Sequence, residues 1–348
     1  MKQNNNFRFL IFLSALVSVF VGMRFSDVGK DTEQYIQHFN SPTEQIFKKF
    51  EIGFSSIMYL FSKNNFSVEY FFFFISFLIT SIYLFFFKQI HLRNFREKSL
   101  SFGKMIFFFS LLLLSSWYFT MITNGLRQGV ALVFLYYSLF ELFYNNRKFK
   151  FLLLFLTSIS FHYSVILALP FLLLKNLRFR VLFAIWLSTA VCYIYGVNEL
   201  IIKFISEKFN LPIYNFIKLY SLERGQTEGG LYNGFNIDFF IYTVFWPLLL
   251  IIIIKMKFRL KSSTLIVKEI FKLLKIYFIL SIPYFIFGFG PFSNRYAMLA
   301  WFLLPVLQYH IINSFNFKNI PKTLSMTYFS IIFLFFLLFT LDWVRLLN

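Results

Sequence analysis

Residues 124–162 bring two costly side chains into apolar surroundings. Arg127 and Gln128 stand at the head of one apolar segment, and His162 ends a second one beyond the basic patch 145–150. Ionisable groups in such surroundings are expensive, and those that persist usually serve a function. An arginine offers a fork of N–H donors that suits phosphate, and a histidine can exchange a proton near neutral pH. The stretch therefore predicts an anion site and a candidate catalytic histidine.

Further polar side chains gather at the predicted ends of other apolar segments. They are Arg24, Asp31, Asn124, Asn294, Arg295 and Tyr296. Helix N-termini present free N–H groups and a positive dipole end, and added arginines turn such ends into anion sites. Together with Arg127 and Gln128, this set predicts a pocket for a phosphate or pyrophosphate.

Several of these residues also have a purely structural interpretation. Arg24 suits an anchor at the membrane interface, Arg295 suits a residue that stabilises a turn, and a lone histidine such as His162 is usually structural. Asp31, with Gln34 three positions later, resembles a capping box at the start of a local helix. The sequence leaves these alternatives open.

Motifs for metals, nucleotides and serine nucleophiles are missing. The chain has no His-Glu-x-x-His, Asp-x-Asp or Cys/His cluster, no Walker A loop, no Gly-x-Gly-x-x-Gly and no Gly-x-Ser-x-Gly. Its one cysteine, Cys192, allows no disulfide within the chain. We therefore expect neither a metal nor a cofactor, and the energy for any reaction must come from the substrate itself.

Apolar residues dominate the composition: 58% of the 348 residues are hydrophobic, 14% are charged and the mean hydropathy is +0.67. Runs such as 68–87 and 239–254 approach or reach the ~20 apolar residues that a membrane-spanning helix needs. The first run, 9–23, lacks a signal-peptide cleavage site and reads as a retained helix. We predict an all-α, polytopic transmembrane bundle of about 10–12 segments, in one domain over 1–348.

The predicted segments position the polar residues at their ends. The segment 52–61 is too short to span and is expected to lie along the interface. The polar stretches 24–51 and 198–236 are predicted to be extracytoplasmic loops. Spanning helices are predicted at about 9–23, 68–87, 105–121, 126–144, 181–197, 237–254, 273–289, 296–312 and 325–341.

Residues 151–174 could form one span with His162 in its middle, or two half-length helices that meet at His162. The positive-inside rule favours the second arrangement. It places the basic loops on one side, so that the whole formal excess of +19 is cytoplasmic and needs no nucleic-acid partner. His162 is then expected at the tip of a partly inserted hairpin, facing the outside. The basic loops in question are 88–104, 145–150, 175–180 and 255–275.

Four stretches in this order resemble a known family: VGKDTEQY, EIGFSSIMYLF, NGLRQGVAL and SISFHYSVILALPFLLL. The family is EpsG, which comprises bacterial exopolysaccharide and O-antigen polymerases that are Wzy-like. The resemblance covers most of the chain and is strongest from Arg24 to Leu174. The triplet Asn294-Arg295-Tyr296 is similar to the segment around a later arginine of the family.

This resemblance implies a membrane glycosyltransferase with a GT-C-like fold. Such an enzyme joins repeat units of a capsule, exopolysaccharide or O-antigen at the outer face of the bacterial cytoplasmic (inner) membrane. Its substrate would be an undecaprenyl-pyrophosphate-linked oligosaccharide within the lipid bilayer. A chain-length regulator and a flippase would be its protein partners.

The resemblance and the residue chemistry together suggest roles for the polar set. His162 would be the catalytic base that deprotonates the acceptor hydroxyl, with Asp31 as the rival base. The pyrophosphate would be held by Arg127 and Arg295, with Arg24 assisting. Asn124 and Gln128 complete that binding set.

Other functions remain open at this point. An O-antigen ligase is a chemical sibling with a different acceptor. A lipid-linked oligosaccharide flippase should show related halves and polar residues at several depths, whereas the polar set here lies on one face. A membrane acyltransferase would need a histidine that is reached from the cytoplasm, and the charge-derived topology opposes that.

Overall fold

The computed structural model describes residues 2–29, 31–41, 47, 49–95, 97, 100–215, 217, 234–258, 264–290 and 293–314. Over these residues the chain is almost entirely helical and has no strand. The predicted last helix, at about 325–341, lies outside them. The chain divides into two compact units, the first being Met1–Val165 with Gln308–Asn348 and the second Ile166–Leu307.

In the first unit, pairs of apolar helices pack along one another: Leu126–Phe143 along Lys148–Phe161, Lys2–Gly22 along Val68–Phe95, and Val68–Phe95 along Leu126–Phe143. The short helix Ile52–Lys63 packs against Lys148–Phe161. This packing buries a largely aromatic core that includes Tyr35, Phe54 and Tyr83. The helices are α1 (Lys2–Gly22), α2 (Thr32–Asn40), α3 (Ile52–Lys63), α4 (Val68–Phe95), α5 (Phe102–Leu113), α6 (Ser116–Thr123), α7 (Leu126–Phe143) and α8 (Lys148–Phe161).

In the second unit, the helix Thr264–Phe287 packs against three others: Phe179–Ile194, Val197–Lys208 and Ser293–Trp301. Two buried indole N–H groups find hydroxyl partners: Trp186 donates to Ser281 at 2.7 Å and Trp301 to Thr243 at 2.9 Å. Such pairs let large aromatic side chains fill a core without leaving a donor unsatisfied. The helices are α9 (Phe179–Ile194), α10 (Val197–Lys208), α11 (Ile237–Phe258), α12 (Thr264–Phe287) and α13 (Ser293–Trp301); α14 (Leu304–Ser314) runs from this unit into the first.

Three described stretches are long and apolar enough to cross a membrane: Val68–Phe95, Leu126–Phe143 and Val267–Phe287. The number rises to five if α5–α6, bent by 74°, and α9–α10, bent by 88°, each form one span. The prediction of an all-α membrane bundle is confirmed. The larger predicted number of segments also counts apolar helices that are too short for this test.

Two helices that were predicted to be continuous are broken. The segment 105–121 is interrupted at Leu114 and Ser115, where Ser115 has an extended backbone. The segment 296–312 is interrupted between Trp301 and Leu304, and Pro305 follows at once. Proline lacks the N–H that a continuing helix would use, so it belongs in the first turn of a new one.

Helices also occur inside both segments that were predicted to be loops. In 24–51, α2 buries Thr32, Tyr35 and Phe39, whose spacing of three and four places them on one face. In 198–236, α10 follows Gly196, whose positive φ of 69° is readily adopted only by glycine. The remainder of the second segment lies mostly outside the described residues.

The helix break at His162 is confirmed. Helix α8 ends at Phe161, and His162 has an extended backbone with φ −162° and ψ 124°. The expected second α-helix is absent, since two 3-10 segments, Tyr163–Ala168 and Pro170–Asn176, follow instead. Pro170 has no N–H to donate to the carbonyl four residues earlier, so one hydrogen bond of a regular α-helix is missing there, and Pro170 instead opens the second 3-10 segment. The reversal of the chain into a hairpin stays a prediction.

Candidate active site at Glu51, Arg127 and His162

A buried carboxylate, Glu51, joins Arg127 and His162. The Glu51 side chain is only 4% exposed, and its Oε2 accepts a hydrogen bond from Arg127 Nη1 at 2.8 Å. Its Oε1 lies 2.6 Å from His162 Nδ1 and also accepts from the Tyr163 N–H at 3.4 Å. A buried charge is costly unless it is paired and hydrogen-bonded, and here both oxygens are.

Three helix ends bring these side chains together. Glu51 directly precedes α3, Arg127 is the second residue of α7, and His162 directly follows α8. Helix α8 is tied to α7 by the Ser158 hydroxyl, which donates to the Ala131 carbonyl at 2.6 Å. Side chains at helix ends can reach one another where side chains in the middle of packed helices would be separated by the core.

Helix α3 approaches α8 closely because it carries a glycine at its second position. A Cβ on Gly53 would lie 2.6 Å from the Ser160 hydroxyl oxygen and 2.8 Å from the Ser160 carbonyl oxygen. Only hydrogen at this position allows such an approach. The glycine therefore helps to hold Glu51 within hydrogen-bonding distance of His162.

Glu51 is ionised at neutral pH. Burial by itself would raise its pKa, but the hydrogen bond from His162 and the positive charges of His162 and Arg127 outweigh burial and lower the pKa from 4.5 to about 2. An ionised carboxylate can only accept hydrogen bonds, so His162 Nδ1 carries the hydrogen that is donated to Glu51. The proton that His162 exchanges is then the one at Nε2.

Arg127 is held by more than its ion pair. Its guanidinium lies 4.9 Å from the centre of the Phe50 ring and hydrogen-bonds to Tyr35. Its Nε–H is buried and has no hydrogen-bond partner among the described residues. A buried donor of this kind favours an additional acceptor, and an anion would satisfy it.

Arg24, just after α1, resembles Arg127 in lying over an aromatic ring and in keeping a buried N–H without a described partner. Its guanidinium lies 3.8 Å from the centre of the Phe72 ring, Nε donates to the Thr32 hydroxyl at 3.3 Å, and Nη1 donates to the Val21 carbonyl at 2.9 Å. Its Nη2 is buried without a hydrogen-bond partner in the described part of the chain. Arg24 and Arg127 both interact electrostatically with Tyr35, so the two guanidinium groups border one region of the first unit.

Asn124 supports this region through its side chain and its backbone carbonyl, and Asp31 supports it through its backbone N–H. The Asn124 side-chain oxygen accepts from the Asp31 N–H at 2.9 Å, and its carbonyl accepts from the Tyr35 hydroxyl at 3.5 Å. Asp31 stands at the N-cap of α2, so the local helix that it was suggested to cap is present, but the capping-box interpretation is wrong because the Asp31 side chain makes no cap hydrogen bond. Its N–H is held by Asn124 instead. Gln128 is buried in the first turn of α7.

The two units divide the predicted set. The first unit holds Arg24, Asp31, Asn124, Arg127, Gln128 and His162. Arg295 belongs to the second unit, where it lies in the first turn of α13, as expected for a residue that opens a helix. The roles that were predicted for these residues stay predictions.

Glu51 was not in the predicted set, although its signal was present. It stands between Phe50 and Ile52, directly before an apolar helix, so its surroundings are as apolar as those of Arg127. A buried arginine needs a counter-ion, and an acid in similarly apolar surroundings is the natural candidate. The polar loop that precedes Glu51 concealed it.

Comparison with known proteins places the chain in a family. The model of the EpsG family matches residues 7–346, nearly its whole length. The chain belongs to the EpsG family. EpsG membership associates it with a polymerase- or glycosyltransferase-like function in exopolysaccharide synthesis. No curated protein and no solved structure matches the chain.

Proposed function

We propose that this chain is a polysaccharide polymerase. It would join undecaprenyl-pyrophosphate-linked oligosaccharide repeat units at the outer face of the bacterial cytoplasmic membrane. The observation that carries the proposal is the buried Glu51, which contacts a candidate base and a candidate phosphate-binding arginine through its two oxygens. EpsG membership supports the substrate class.

His162 acts as the general base in this proposal. Its Nε2 takes the proton from the acceptor hydroxyl, while Glu51 at Nδ1 orients the ring and stabilises the imidazolium that forms. The acceptor oxygen then forms a bond to the anomeric carbon of the donor sugar. The bond from that carbon to the pyrophosphate oxygen breaks, and its electron pair leaves with the undecaprenyl pyrophosphate.

Arg127 and Arg24 stabilise the leaving group. Negative charge on the pyrophosphate grows as the bond breaks, and fixed donors in a poorly solvated site bind this developing charge most strongly. Both arginines keep a buried N–H available, and both are held by aromatic rings and hydrogen bonds. Asn124 and Gln128 support them.

His162 is favoured over Asp31 as the base. Its Nδ1–H donates a hydrogen bond to a buried carboxylate, which is the arrangement that strengthens a histidine base. The described contact of Asp31 with this region is made by its backbone N–H.

The experiment is polymerisation of purified lipid-linked repeat units by the protein in liposomes, with chain length read on a gel. We expect His162→Ala to lower the rate by roughly 10²–10⁴-fold, the usual contribution of a general base. His38→Phe is the matched control, because His38 hydrogen-bonds only locally to the Gln34 carbonyl in the described contacts and its ring packs against Phe50, a contact that phenylalanine keeps.

Near-normal polymerisation by His162→Ala would contradict the assignment of the base. Transfer of single repeat units to a lipid A core, without polymerisation, would identify a ligase. Transbilayer movement of the lipid-linked unit without any transfer would identify a flippase.

A further inference from the structure

We infer that Glu51 couples donor binding to the strength of the base. In the empty site Glu51 pairs with both Arg127 and His162. When the donor binds, Glu51 loses Arg127 and pairs with His162 alone. This inference rests on the proposed function and adds a regulatory step to it. The base is strengthened when the pyrophosphate of the donor occupies Arg127.

The sharing is visible in the geometry. Arg127 occupies one oxygen of the Glu51 carboxylate at 2.8 Å, and His162 occupies the other at 2.6 Å. The carboxylate is almost completely buried, so water does not replace either partner easily. One negative charge therefore serves two cationic or potentially cationic groups.

A pyrophosphate competes with Glu51 for the same guanidinium. It carries more negative charge than a carboxylate and offers oxygens that match the arginine fork. Arg127 also has a buried Nε–H without a described hydrogen-bond partner, which offers the pyrophosphate a first contact before it competes for Nη1. When Arg127 turns, Glu51 loses the cation that had neutralised it.

The charge of Glu51 then acts on His162 alone. An unneutralised carboxylate next to Nδ1 favours the imidazolium, so Nε2 becomes a stronger acceptor for the proton of the hydroxyl group. The charged groups that face His162 in the described contacts are Glu51 before α3 and, through it, Arg127 of α7. The Tyr163 backbone N–H also donates to Glu51, and Tyr35 of α2 hydrogen-bonds to Arg127.

Coupling of this kind has a chemical advantage. A strong base in an empty site would be protonated by water and lost to catalysis. A base that strengthens on donor binding stays unprotonated in the empty site, and when donor and acceptor are both bound the acceptor hydroxyl supplies its proton; when undecaprenyl pyrophosphate binds without an acceptor, water supplies it instead.

Proton uptake on binding undecaprenyl pyrophosphate tests the inference without any turnover. Calorimetry of the detergent-solubilised protein in two buffers of different ionisation enthalpy, from pH 5 to 8, gives the number of protons taken up. His162→Gln supplies the baseline, since its uptake belongs to the pyrophosphate itself. His38→Phe is the matched histidine control and should behave like the wild type, because it keeps the ring contact with Phe50.

The bound pyrophosphate also favours the imidazolium directly, so the decisive variant is Glu51→Gln. We expect its uptake above the baseline to fall well below that of the wild type across the pH range. Its affinity for undecaprenyl pyrophosphate should be unchanged or a few-fold tighter, because the competitor for Arg127 has gone. Its kcat should fall by roughly 10²–10⁴-fold without a rise in donor KM, as expected when the group that orients a histidine base is lost.

Uptake equal to that of the wild type, or weaker binding of undecaprenyl pyrophosphate, would overturn the coupling. If Glu51→Gln does not fold, Glu51→Asp replaces it. The aspartate keeps the charge but is one methylene too short to reach both partners, so uptake should again fall. If the wild type neither binds undecaprenyl pyrophosphate nor polymerises, the proposed function itself fails, whereas a wild type that does both leaves only the coupling at stake.

Discussion

Arg127 combines two demands that only a guanidinium satisfies. It donates to Glu51 through Nη1 and to Tyr35, lies over Phe50, and keeps its Nε–H for another acceptor. The N–H donors of the guanidinium point in several directions within its plane, and the Phe50 ring packs against it. A lysine offers a point charge on a flexible stem and cannot reproduce them.

We therefore expect Arg127→Lys to lower the rate of polymerisation by roughly 10–100-fold, the equivalent of one lost charge-assisted hydrogen bond. Arg147→Lys is the control, because Arg147 is 65% exposed and its nearest acid, Glu141, is 3.9 Å away. Rates are measured with the same lipid-linked units. Full activity of Arg127→Lys would count against the binding of pyrophosphate at this residue.

Glu51 should also make the fold sensitive to acid. Its pKa in the folded protein, about 2, lies below its ordinary value of 4.5, so the unfolded chain takes up the proton first. Its contribution to stability is thus fully present above about pH 4.5 and is lost as the pH falls towards 2. The thermal unfolding midpoint in detergent should decline over this window.

The matched measurement is the same pH series on Glu51→Gln. This variant should be less stable at pH 7, since it leaves Arg127 buried without its counter-ion. It should also show a smaller decline on acidification. Parallel curves for the two proteins would mean that Glu51 is not the group that titrates.

At the scale of elements, the site depends on how closely α3 approaches α8. The start of α3 carries Glu51 and the end of α8 carries His162, and Gly53 allows these ends to meet at Ser160. Because Ser160 presents a backbone oxygen there, a side chain at Gly53 cannot be accommodated by a simple rotamer change. The two helices must move apart.

We expect Gly53→Ala to destabilise the protein by about 1–3 kcal/mol, as overpacking does, and to lower activity by separating Glu51 from His162. Gly103→Ala in α5 is the control, because its Cβ would meet nothing within 4 Å. That change should be neutral or slightly stabilising, since alanine favours a helix more than glycine does. The two variants are compared by their thermal unfolding midpoints and polymerisation rates. Equal values for both would contradict this account of the contact between α3 and α8.

At the scale of the whole molecule, the charge distribution predicts which side of the membrane the site faces. Basic residues in cytoplasmic loops set the orientation of membrane proteins, and the predicted orientation puts the first polar segment outside and residues 145–150 inside. The single cysteine, Cys192, can be replaced so that labelling reports on one introduced position. Asp27 and Arg147 are both exposed and suit such positions.

In a Cys192→Ser background, we expect a membrane-impermeant maleimide added to intact cells to label Asp27→Cys. Arg147→Cys should react only after the membrane is permeabilised. The reverse pattern would place the site on the cytoplasmic side, where lipid-linked units are made rather than joined. The single polymerase domain over 1–348 and the GT-C-like architecture stay predictions.

Segment class was readable from the chain because hydropathy and charge are local properties. The length and apolarity of runs such as 68–87 and 126–144 predict helices, and both runs are helical. Helix ends were harder to read. The basic residues after 87 continue α4 to Phe95, because charged side chains outside the apolar core do not oppose a helix.

The break at His162 was predictable from charge balance, but the conformation of the next segment was not. Two alternatives for 151–174 differed in where the basic loops would fall, and that difference favoured a break. The consequence of Pro170 for the helix type depends on backbone hydrogen bonds, which charge balance does not describe.

Composition, hydropathy and motif order were therefore sufficient for the membrane class, the helical architecture and the EpsG family. They also selected Arg127 and His162, because each is costly where it stands. Only the tertiary structure decided their partner. Glu51 lies 76 residues from Arg127 and 111 from His162 along the chain, and the packing of α3, α7 and α8 brings the three together. No local pattern encodes such a meeting, since it depends on which helix ends the buried core places side by side.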